Sequence, residues 1–174
     1  MPTRPRLDSL NTGDAILKAG TRGEASIEVS SSPAALYDVV SDVRRMGEWS
    51  PECRSCEWVG GATGPAVGAQ FKGSNQRGIA RWSTKPRVVV ADPGREFAFV
   101  VNHLGRGMTK WSYRFEPVSD HTKVTESFEL LRDLPWYYRA VDRFVMGIDD
   151  RKADLEAGMQ ATLQRLKAAA ERSS

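Results

Sequence analysis

The chain is poor in the residues that usually announce chemistry. Its 174 residues hold two cysteines, Cys53 and Cys56, and two histidines, His103 and His121. A zinc site of the structural kind takes four such ligands at set spacings, and no second pair stands near the first. A Ser-His-Asp arrangement cannot be placed either. The glycines Gly73, Gly78, Gly105 and Gly107 fall at turns or bulges and precede no helix, so a phosphate-binding loop is not indicated. No Lys/Arg block exceeds pairs such as Arg44-Arg45 and Arg151-Lys152, and net charge +3 with interspersed acids gives no basic stripe for nucleic acid. Apolar runs fall short of the ~20 residues a membrane helix needs, so stable membrane insertion is not expected. Met1 to Arg6 is basic, but no apolar stretch follows as in a secretory leader. The expected compartment is the cytoplasm, with both thiols reduced.

What is present is pattern. Hydrophobic residues make up 40% and charged ones 27%, with five Trp, six Phe and four Tyr. That suits one soluble domain with large buried rings. Residues 1–22, with Pro2, Pro5 and Asn11-Thr12-Gly13-Asp14, read as a loosely ordered arm. A domain over 23–170 and a tail over 171–174 complete the expected organisation. Glu24 to Val29 alternates polar and apolar residues, as a half-buried strand does. Ser32 then offers an N-cap and Pro33 a first helical position. The helix this predicts runs to about Val40, and a second short one follows Asp42 with Val43 and Met46.

From Cys53 to Leu131 short alternating segments are joined by short glycine- or proline-bearing turns. Ile79 to Val90 reads as one of these strands. Loops this short demand antiparallel pairing, because parallel strands need long crossovers. About seven strands are expected. The last segment changes period. Leu134, Val141, Phe144, Val145, Ile148, Leu155, Met159, Leu163 and Leu166 recur at helical spacing, predicting one amphipathic helix from Pro135 to about Ala170.

Several of these segments carry a resemblance. Ser30-Ser31-Ser32-Pro33 opens the first helix, and Asp42 to Pro51 has the form D-x-x-x-x-x-x-W-x-P. Val59-Gly60-Gly61 is followed by Gly68-Ala69-Gln70-Phe71, and Trp111 to Pro117 by Thr122-Lys123-Val124-Thr125-Glu126. In this order they resemble the polyketide cyclase/dehydrase branch of the START-like (SRPBCC) superfamily, over about residues 24–170. The resemblance implies an α+β helix-grip fold: a seven-stranded antiparallel sheet wrapped around a long C-terminal helix, with two short helices after the first strand. It also implies a cavity between sheet and helix that takes a small hydrophobic or amphipathic molecule such as a lipid, polyketide or aromatic compound. No cofactor is implied. Members of the superfamily include carriers and cyclases, so binding or transport and acid–base catalysis are both open, as is oligomeric state.

Candidate site residues follow from alternation. Trp111, Tyr113 and Phe115 share a strand face and form either a ring wall or a filled core. Glu126 falls on the same face as Val124 and Phe128. A carboxyl among apolar residues is costly unless paired, so Glu126 is the candidate acid or base, with a raised pKa expected. His103 alternates with Phe99 and Val101 toward a cavity mouth, and Trp82 can point inward from its strand. His121 is expected in a solvated turn. Tyr137, Val141, Phe144, Val145 and Ile148 are expected to meet the ligand, whereas Leu155, Met159, Leu163 and Leu166 pack as core. Trp49 reads as a plug between helix and sheet. Asn75 and Arg77 are expected to face solvent. Cys53-Arg54-Ser55-Cys56 lies in a strand, where positions three apart point to opposite faces, so it reads as buried structural cysteine.

Overall fold

The computed structural model describes residues 17–172. Of the loose arm expected over residues 1–22, residues 1–16 lie outside that span. Residues 17–21 are tied down: Gly20 N–H donates to the Leu130 carbonyl, and Ala19 N–H donates to Asp133.

Among the described residues, eight strands form one antiparallel sheet. They are β1 (Arg22–Val29), β2 (Cys53–Val59), β3 (Gln70–Arg77), β4 (Ala80–Thr84), β5 (Arg87–Asp92), β6 (Glu96–His103), β7 (Arg106–Val118) and β8 (His121–Leu130). Their order across the sheet is β1-β8-β7-β6-β5-β3-β2, with β4 paired to β3 alone. The count exceeds the expected seven because Ile79 to Val90 is not one strand. Lys85-Pro86 interrupts it, and a proline cannot donate into a ladder. Gly78, at φ +54°, turns the β3–β4 hairpin.

Between β1 and β2 lie α1 (Pro33–Ser41) and a 3₁₀ turn, Val43–Glu48. Both start as read: Ser32 Oγ accepts from Ala35 N–H and Asp42 caps the second. Leu36, Tyr37 and Val40 turn α1 inward, and it packs on β6 and β7.

The single helix expected over 135–170 is a correction. Its parts are α2 (Tyr138–Val141), a π-helical turn (Asp142–Met146), and α3 (Arg151–Glu171). Gly147 adopts φ +65°, a left-handed value that ends the first piece. Asp150 restarts the chain as the α3 N-cap, accepting from Ala153 N–H. Arg151 reaches back to Asp142, and Arg77 on β3 holds Asp154 by two hydrogen bonds of 2.5 and 2.8 Å while also contacting Glu52. Arg77, expected at the surface, thus clamps the start of α3 to the sheet. Met159, Leu163 and Leu166 are fully buried, and α3 rests mainly on β1, with β8 and the 3₁₀ turn beside it. Each such side chain contributes roughly 1.5–3 kcal/mol of burial.

Candidate functional site

Register places the inner residues in rows across the sheet. One row runs Phe97, Tyr113, Glu126, Ala25; the next runs Phe99, Trp111, Phe128, Gly23. Gly23 matters here because a Cβ would come within 2.6 Å of the Phe128 ring. Alternation along β7 and β8 therefore delivers Glu126 to the inner face beside Tyr113, as period 2 requires.

Glu126 is 4% exposed. Tyr113 Oη donates to its Oε1 at 2.7 Å. Oε2 is buried and has no hydrogen-bond partner among the described residues. Burial pushes the carboxyl up to about 8, against a smaller lowering effect of the Tyr113 hydroxyl. Burial and the neighbouring carboxyl likewise raise the Tyr113 phenol. At neutral pH this favours the protonated carboxyl beside the neutral phenol, inside a ring-rich core. Trp49, fully buried as a plug, leaves its Nε1 without a partner among the described residues.

The aromatic wall divides. Phe97, Phe99, Tyr113, Phe115 and Phe128 are buried. Tyr37 meets Phe97 and Phe115 edge-on, and Phe71 meets Phe99 with centroids 5.2 Å apart. This end is packed as core. Toward the other end, Trp111 and Val101 are half-buried against the cluster, and so is Leu155 from α3. Trp82 is half-buried on β4 opposite Asn75. Asn75, expected in solvent, is half-buried and donates to Thr84 Oγ1 at 3.4 Å. His103 sits between two tyrosines, its Nε2 2.7 Å from Tyr137 Oη and its Nδ1 3.0 Å from Tyr138 Oη. It ties the α2 segment to the β6–β7 hairpin. His121 pairs with Asp120 at the surface, as expected.

The segment assigned to the ligand space is the least inward. Ile148 is buried, but Tyr137 and Val141 are exposed, Val145 more so, and Phe144 is 82% exposed. Phe144 and Val145 are exposed, and the π turn and Gly147 break the continuous helix expected to carry both. An open groove of about 220 Å³ lies between α1 and the β2–β3 connection, lined by Tyr37, Asp38, Asp42, Trp58 and Pro65.

The thiol pair is the feature that residue spacing misplaced. A bulge between Cys53 and Ser55 shifts the register, so both side chains turn inward, with the sulfurs 3.3 Å apart. Among the described residues no group of three or more His, Cys, Asp or Glu is placed to hold a metal ion, and no helix is long and apolar enough to cross a membrane.

Comparison with known proteins agrees with this architecture. A polyketide-cyclase-like protein from Corynebacterium glutamicum, solved by NMR, is 35% identical, with 86% of this chain and 91% of that chain covered and a TM-score of 0.57. The di-domain ARO/CYC StfQ of the steffimycin biosynthetic pathway is 15% identical at TM-score 0.68; 87% of this chain covers 51% of it, about half its length. Ginseng major latex-like protein 151, from Panax ginseng, is 14% identical at TM-score 0.64, covering 86% and 96%. The last two show the fold alone. No curated protein matches. Residues 21–171 match the family described as polyketide cyclase / dehydrase and lipid transport. With that span and the helix-grip architecture in agreement, the chain belongs to the polyketide cyclase/dehydrase and lipid transport family.

Proposed function

We propose that the protein binds a small hydrophobic or amphipathic molecule carrying one polar group, held between the inner sheet face and α3, with Glu126 as the polar anchor. The observation that supports this is the buried carboxyl with one oxygen bound by Tyr113 and the other without a partner. An unsatisfied buried polar atom costs about 1–3 kcal/mol, so a ligand hydroxyl or carbonyl that reaches it gains that much. At pH values below about 8 the neutral form of the carboxyl predominates. Oε1 then accepts from Tyr113, and Oε2 carries the proton toward the ligand. The half-buried end, with Trp111, Trp82, Asn75, Thr84 and His103, supplies rings and a few polar groups, the mixture typical of small-molecule sites. The intended ligand belongs to the lipid, polyketide or aromatic class.

The test is titration with a dansyl-labelled fatty acid. The wild type binds it saturably, and Glu126→Leu weakens binding by about tenfold, the value of one hydrogen bond. Raising pH through 8 ionises Glu126 and weakens binding of this anionic probe as well. Absence of saturable binding at any pH would end the reading.

One feature favours the second reading, an acid–base enzyme of the cyclase or dehydratase kind. A carboxyl that titrates near 8 exchanges protons close to neutral pH, as a general acid or base must. Dehydration of a β-hydroxy ketone, followed by enone absorbance, checks it. Glu126→Gln then abolishes turnover, and equal rates in the variant exclude Glu126 as the acid or base.

A further inference from the structure

Three features of β2 converge on its two cysteines. Residues three apart on a regular strand face opposite ways, yet here the bulge leaves Arg54 as the extra residue. Cys53 pairs with Asn75 and Cys56 with Gly73, so both sulfurs lie on the inner face while Arg54 and Ser55 stay exposed. Second, the strand opposite makes room. A Cβ on Gly73 would stand 3.4 Å from Cys56 Sγ and 3.0 Å from Thr84 Oγ1. Third, β2 ends the sheet: it pairs with β3 on one side only, and the 3₁₀ turn that holds Met46 and Gly47 packs against it. An end strand opens at lower cost than a central one, which gives small solutes a route to groups that are 5% and 8% exposed.

We propose that Cys53 and Cys56 are a hydroperoxide-reactive dithiol that closes to an intrachain disulfide. The sulfurs are 3.3 Å apart, against roughly 2.05 Å in a disulfide, so closure needs a small shift within the bulge rather than refolding. Cys53 is the attacking sulfur. The two thiols share a hydrogen bond in which either can donate; with Cys56 as donor the bond lowers the Cys53 thiol and, with burial, raises that of Cys56. Cys53 sulfur attacks one peroxide oxygen, the O–O bond breaks, and the departing oxygen leaves as water after taking a proton. Cys53 is then a sulfenic acid. Cys56 sulfur attacks it, the S–O bond breaks, the S–S bond forms, and a second water leaves with the Cys56 proton. Two thiols are oxidised by two electrons and one hydrogen peroxide is reduced to two waters; with an organic hydroperoxide the first departing oxygen leaves as its alcohol. Met46, whose Sδ lies 3.9 Å from Cys56, lines the same spot from the 3₁₀ turn.

Whole protein is exposed to hydrogen peroxide, quenched, unfolded and alkylated, and its intact mass is read. The expected result is joint loss of both free thiols with a mass lower by two hydrogens, reversed by dithiothreitol. In Cys56→Ser the reaction stops at a sulfenic acid on Cys53, trapped by a cyclic 1,3-diketone. In Cys53→Ser the remaining thiol reacts about tenfold more slowly than Cys53 does in Cys56→Ser. The wild-type mass needs no variant to fold. Two free thiols after conditions that oxidise glutathione would overturn the proposal. So would disulfides formed only between chains, or equal trapping on Cys56 in Cys53→Ser.

Discussion

Two stretches of the C-terminal quarter share an apolar pattern and have opposite fates. In α3, Met159, Leu163 and Leu166 are fully buried on β1. In the stretch from Trp136 to Val145, Trp136 is 78% exposed and Phe144 82%. Both have helical spacing, so spacing is not what separates them. The difference is anchoring. Arg77–Asp154 and Arg151–Asp142 fix the start of α3, and Lys167 donates to the Glu28 carbonyl near its end. The earlier stretch is held through His103 and its two tyrosines and, at its far end, through the buried Asp142 that Arg151 binds, while Gly147 breaks the helix between them. An apolar stripe shows that a helix has a face; only the contacts at its ends decide what the face meets.

The largest effect expected is on the α3 side. Leu163→Ala leaves a cavity at a position with no exposure and costs about 2–5 kcal/mol, read by urea denaturation. Phe144→Ala costs under about 0.5 kcal/mol in the same assay. A similar loss for both would mean that the two stretches are packed alike, and the comparison would fall.

Next comes pH. A raised carboxyl pKa means that the folded state holds the Glu126 proton more tightly than the unfolded chain does. Stability from this group is therefore greatest below about pH 4.5 and falls as pH rises toward 8. The loss is on the order of 3–5 kcal/mol for a shift of this size. Glu126→Gln flattens that part of the profile, and denaturation across the range would show an unchanged slope if Glu126 were not responsible.

The clamp is smaller. Arg77→Gln removes a partly exposed pair and costs roughly 1 kcal/mol. Its sharper reading is hydrogen exchange, which speeds up first in the opening turns of α3 and not in β1. The smallest effect is at His103. His103→Leu frees Tyr137 and Tyr138, leaves global stability within about 0.5 kcal/mol, and raises protease cutting between Leu131 and Asp150. Unchanged cutting would show that the histidine is not what holds α2.

Much of this was legible from residue order. Ser32-Pro33 marked α1, and alternation grouped Tyr113 with Trp111 and Phe115, and Glu126 with Val124 and Phe128; that the two groups share a face follows from the β7–β8 register. The strand sequence marked the helix-grip layout. Three features were less legible, each for a physical reason. Gly147 followed by Asp149-Asp150 is a helix stop and a new cap, but the long apolar stripe outweighed it. Lys85-Pro86 similarly carried the break between β4 and β5. The bulge at Arg54 has no local signature: it arises from pairing with β3, and a one-residue slip reverses which way a side chain points. Arg77 gave no hint of Asp154, since residues so far apart meet only through the fold.

The placement of β1 has a further consequence. It pairs along its whole length with β8, about a hundred residues later, and carries α3 on its other side. Contacts of such separation close slowly and late. During synthesis the first strand waits unpaired until β8 leaves the ribosome, and Ala25 meets Glu126 only then. The row that holds Tyr113 and Glu126 is thus completed by an early strand and a much later one. Any truncation that removes α3 exposes β1 and, with it, the wall of that row.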